Sequence, residues 1–110
     1  AREIIARLEA KYGGWAAKYA IFHSWRVAVP PEYFHRTARR RGQAVHAFEG
    51  WAFSRQMCDL DRRGEIVRRW LKGEKPHAPN SLWMAKLTRK GRINLKKYGN
   101  RPAITRSRPR

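Results

Sequence analysis

From Lys75 to Arg110 the chain carries no Asp or Glu, while Lys75, Lys86, Arg89, Lys90, Arg92, Lys96, Lys97, Arg101, Arg106, Arg108 and Arg110 supply eleven positive charges. A stretch this one-sided repels itself, and it settles best against a polyanion. All eight acids fall in the first 74 residues, opposite fifteen bases. The net charge of +18 therefore divides as +7 before Lys75 and +11 from there on. Nucleic-acid phosphate is the polyanion that such a distribution fits.

Hydrophobic residues make up 42% of the chain, enough to exclude a wholly disordered polymer and to build one small domain. The charge nevertheless exceeds the roughly 2–8 units that keep a small domain soluble. Five Trp, four Tyr and four Phe are available for core packing or for stacking on bases. Cys58 is the only cysteine, so no intrachain disulfide forms and a reducing compartment fits. No uncharged run approaches the ~20 residues of a membrane span.

Apolar spacing along the chain is mainly helical. Ile4, Ile5, Leu8 and Tyr12 share one side of a segment from Arg2 to Tyr12, which Gly13-Gly14 interrupts. Trp15, Tyr19, Phe22 and Trp25 follow at steps of four, three and three, up to Pro30-Pro31. Pro31 suits the first position of a third helix that stops at Gly42 or continues toward Met57, with Glu49-Gly50 as a site for a kink or a buried Glu–Arg contact. Asp59 or Asp61 reads as the N-cap of a helix from Arg62 to Lys72, with Ile66, Val67, Trp70 and Leu71 as its stripe. Asn80 or Ser81 reads as the cap of a short helix carrying Leu82, Trp83, Met84 and Leu87, closed by Gly91. The expectation is an all-α fold: a helical body of four to six short helices over residues 1–91. Residues 92–110 are expected to form a basic, irregular extension that threads along RNA.

Arg36, Arg39, Arg40 and Arg41 form the densest basic cluster ahead of the tail. On a helix Arg36 and Arg40 share a face, and guanidinium forks match phosphate oxygens. The competing reading is a solvated helix end. Arg62, Arg63, Arg68, Arg69 and Lys72 suggest a second basic surface, weakened by Glu65 one turn from Arg69. Lys86, Arg89, Lys90, Arg92, Lys96, Lys97, Arg101, Arg106, Arg108 and Arg110 complete the expected phosphate contacts. Trp51, one turn from Arg55, and Tyr98, flanked by bases, are the candidate stacking rings, set against ordinary packing. His23, His35, His46 and His77 lack acid–base partners or metal spacing, so no catalytic residue, metal or cofactor is expected.

A small Trp- and Tyr-rich helical body followed by an acid-free Lys/Arg/Gly/Pro extension resembles the ribosomal proteins of organelles, mitochondrial ones above all. The residues that carry the likeness are Lys86 to Arg110 and Arg36 to Arg41. The resemblance implies a structural role with ribosomal RNA and neighbouring ribosomal proteins as partners, away from membranes and without a small-molecule substrate. If half the tail bases met phosphates, log affinity would fall with log salt at a slope of about −4 to −5. A helix-turn-helix drawn from the helix before Met57 and the segment Arg62 to Lys72 is the rival DNA-binding reading. An assembly subunit ordered by a protein partner is another.

Overall fold

The computed structural model describes residues 1–78 and 80–101. In chain order the elements are α1 (Arg2–Lys11), β1 (Ala16–Ala17), α2 (Lys18–Ala28), α3 (Pro31–Arg41), α4 (Val45–Arg62), β2 (Ile66–Trp70), β3 (Trp83–Leu87) and α5 (Arg89–Tyr98). The strands form an antiparallel sheet in the order β1-β3-β2, with Ala16 opposite Ala85 and Ile66 opposite Leu87. Among the described residues helix accounts for 60% and strand for 12%, so the fold is mixed and the all-α expectation is corrected.

Two of the expected helices are strands. Within Arg62 to Lys72, α4 runs on to Arg62, and Ile66–Trp70 extends as β2. Ile66, Arg68 and Trp70 turn inward while Val67 and Arg69 turn outward. Arg68 hides this alternation in the sequence, because a base occupies an inward position. It does so by pairing with Asp61 at 2.8 Å and lying over the Trp70 and Trp83 rings. In β3 the inward set is Trp83, Ala85 and Leu87, and the outward Met84 is itself apolar, which again blurs the period of two. Asp59 and Asp61 accordingly sit in the last turn of α4 and cap no following helix.

The turn that permits the switch is local. Glu65 N–H donates to the Leu60 carbonyl and Gly64 N–H to that of Asp61, a Schellman closure with Gly64 at φ 74°. Helix α3 ends in the same way at Gly42, the nearer of the two ends the sequence leaves open. Helix α4 passes unbroken through Glu49-Gly50, and of the two readings offered for Glu49 the contact with arginine is the one found: Arg26 of α2 stands 3.7 Å away. Of the second apolar stripe only Trp15 lies outside the helix, ahead of β1; Tyr19 lies in α2 but is exposed, and Ile21 and Trp25 are the buried residues of α2.

The boundary expected at Gly91 falls inside α5, which is docked on the rest of the fold. Thr88 caps it, its Oγ1 accepting from Gly91 N–H at 3.2 Å and its hydroxyl donating to the Gly64 carbonyl. A Cβ on Gly91 would lie 2.1 Å from the Glu65 carbonyl oxygen, so only glycine permits this approach. Arg92 donates to Glu9, whose other carboxylate oxygen accepts Leu87 N–H at 2.9 Å. Asn100 Oδ1 accepts Glu3 N–H at 3.0 Å. The core between sheet and helices gathers Ile5, Ile21, Trp25, Phe53, Met57 and Trp83, with Phe53 and Trp83 stacked at 6.4 Å.

Candidate nucleic-acid interface

The eight carboxylates are spent largely on internal structure. Glu65, fully buried, accepts from Arg2 Nη2 at 3.2 Å and lies 3.3 Å from Arg63. Burial pushes its carboxyl up, but hydrogen bonds from Arg2 and Asn94, with the charges of Arg2 and Arg63, outweigh that and hold it below the usual carboxylate range. Glu9, Glu49, Asp59 and Asp61 are ion-paired too, so five of the eight acids neutralise arginines within the fold. The Lys18 ammonium is held below the ordinary lysine range by burial, with Arg68 adding to the effect and Glu74 opposing it. It donates to the Ser81 carbonyl at 2.9 Å.

The α3 cluster is a different case. Arg36, Arg39, Arg40 and Arg41 are all exposed, and among the described residues no carboxylate lies within ion-pair distance of them. Pro31 starts the helix and left-handed Gly42 stops it, so the four bases fill its last turns, where the negative end of the helix dipole favours them. Arg36 and Arg40 flank an open groove with Pro30, Glu32, Tyr33 and Thr37. Helix α4 then brings Trp51 to the end of the ridge. Arg41 lies 4.4 Å and Arg55 5.5 Å from its ring centroid, and the ring remains 40% exposed. Trp51 also stacks on the buried Phe48 at 6.0 Å, which fixes its position. The sequence suggests the arginine cluster and the Trp51–Arg55 pair separately; the α3·α4 packing makes them one surface.

The second predicted surface is dispersed. Arg62 is exposed beside Asp59 at 3.5 Å, and Arg63 turns toward the buried Glu65. Arg69 lies on the outer sheet face, while Arg68 lies on the inner one. Lys86 shares the outer face with Arg69, and the two approach the Trp15 ring at 5.0 and 5.7 Å. On α5, Arg89, Lys90, Lys96 and Lys97 are exposed, with Lys90 Nζ donating to the Arg63 carbonyl at 2.7 Å. Arg92 is half exposed although bound to Glu9, Arg101 Nε donates to the Tyr98 carbonyl, and Tyr98 is half-buried. Arg106, Arg108 and Arg110 lie outside the described residues.

Trp15 is the residue that sequence reasoning misplaced, as part of a helical stripe. Its signal was its position between Gly13-Gly14 and the small pair Ala16-Ala17, a pattern too short to separate strand from helix. Among the described residues no group of His, Cys, Asp and Glu could hold a metal ion, and no helix is long and apolar enough to cross a membrane. No family model matches the chain, and neither a curated protein nor a solved structure matches it.

Proposed function

We propose that this protein is a structural RNA-binding subunit of a large ribonucleoprotein, a constituent of an organellar ribosome of the mitochondrial type that grips ribosomal RNA phosphates and acts without chemistry of its own. The observation that carries this reading is the α3 ridge, where four exposed arginines have no carboxylate partner among the described residues and end at a half-exposed tryptophan. Guanidinium groups in a row suit a phosphate backbone, and a held aromatic ring suits an unpaired base beside it. The exposed bases of α5 extend the positive surface. The helix-turn-helix alternative loses its recognition helix, because Ile66–Trp70 is a strand.

Sedimentation tests the assignment. Tagged chain expressed in its own cells is expected to travel with ribosomal particles at low salt and to leave them as salt rises. Migration with free proteins at every salt concentration contradicts it, and retention on a particle stripped of RNA points to a protein partner instead.

A further inference from the structure

The outer face of the sheet is a second nucleotide-binding candidate, in which a tryptophan ring lies at the centre of the basic groups and not at the end of a row of them. Side chains alternate across a strand, so Val67 and Arg69 of β2 and Met84 and Lys86 of β3 project to the same side, in register as Val67–Lys86 and Arg69–Met84. This side is not covered as the inner one is: Arg69 is exposed, Val67 is 41% exposed, and Leu71 just beyond the strand is 42% exposed. Trp15, leading into β1, lies alongside. Its ring, Arg69, Trp70, Leu71, Lys72 and Met84 line an open groove of about 430 Å³. Among the described residues neither Arg69 nor Lys86 is ion-paired, and both use the Trp15 ring as their partner.

Cation–π contacts at such half-exposed sites are weak. A phosphate offers the guanidinium and the ammonium a stronger partner, and their flexible stems let them turn to it while the ring face accepts a base. A rigid duplex keeps its bases stacked away from such a ring, whereas a single strand can splay one onto it. We infer that the outer sheet face, centred on Trp15 with Arg69 and Lys86, binds an unpaired segment of RNA by base stacking and phosphate contact. The inference rests on the RNA-binding reading above and assigns to it a second site that selects single-stranded over duplex RNA.

The test measures binding of the full chain to a short oligoadenylate and to a blunt RNA duplex, for wild type, Trp15→Ala, Trp15→Phe and Lys86→Gln. Trp15→Ala is expected to weaken oligoadenylate binding by about tenfold, Trp15→Phe to keep most of it, and Lys86→Gln to weaken it several-fold. Duplex affinity, which the α3 ridge would carry, should stay within about twofold for the Trp15 variants. In parallel, wild-type chain is photocrosslinked to an oligonucleotide bearing 5-iodouridine, and the adduct should map to the peptide containing Trp15. That second measurement decides the matter if Trp15→Ala fails to fold. Unchanged oligoadenylate affinity in folded Trp15→Ala, or crosslinks confined to peptides other than that of Trp15, overturns the inference and leaves the α3 reading standing. Failure of wild type to bind either RNA overturns both.

Discussion

At the scale of single residues, the fold rests on two contacts that join distant parts of the chain. Glu65 sits at zero exposure between Arg2 and Arg63. Replacing it by Gln leaves Arg2 buried with its charge uncompensated, and breaking a buried pair in this way is expected to cost about 3 kcal/mol. Chemical denaturation of Glu65→Gln measures that loss directly. The same carboxyl predicts a pH response. In the unfolded chain it gains a proton near pH ~4, whereas the folded carboxyl, held lower, keeps its charge further down. Between the two values the unfolded state binds more protons, so stability is full above that window and falls as pH drops through it. A melting temperature that declines below pH ~4 in wild type, and less steeply in Glu65→Gln, is the expected pattern. Gly91 is the second such residue. Gly91→Ala drives a Cβ into the Glu65 carbonyl, and an expected loss of ~2–3 kcal/mol would lower the thermal midpoint by roughly 8–24 °C, at about 4–8 °C per kcal/mol.

At the scale of elements, what the sequence disclosed followed how strongly each segment punctuates itself. Helices α1 and α3 are legible because an apolar stripe is bounded by Gly13-Gly14, by Pro31 and by Gly42. Helix α4 buries Phe48, Phe53, Met57 and Leu60, and the buried Glu49 among them is explained by Arg26, a partner from another element. The strands were not legible, because their alternation is broken by residues whose roles are tertiary. Arg68 points inward only because Asp61 and two tryptophans receive it there. Helix α5 lacks a continuous apolar stripe; its docking depends on the missing side chain of Gly91 and on Arg92 reaching Glu9. Two measurements separate strand from helix over residues 66–70. Ile66→Ala should cost about 2–4 kcal/mol and the exposed Val67→Ala less than about 0.5 kcal/mol, whereas a helical stripe would bury both. Cutting the chain after Gly91 should destabilise the remaining fold, since Glu9 and Glu65 lose the partners that α5 supplies.

At the scale of the whole molecule, the distribution of acid decides what the surface can do. Five of the eight carboxylates stand in ion pairs within the fold, so among the described residues the unneutralised bases are left on the surface, many of them on the α3 ridge, the outer sheet face and α5. The cluster Arg36 to Arg41 could be read as a candidate from the sequence alone, because four bases in six positions need no tertiary information. Its joining to Trp51 could not, since that depends on α3 and α4 packing side by side. The most direct test of the central claim is the salt dependence of binding to a structured RNA hairpin, compared between wild type and a variant carrying Arg36→Ser, Arg39→Ser, Arg40→Ser and Arg41→Ser together. The account predicts that affinity falls at every salt concentration and that the slope of log affinity against log salt becomes shallower by roughly 3 to 4, the counterions of four phosphate contacts. A variant with the wild-type affinity and slope would contradict it.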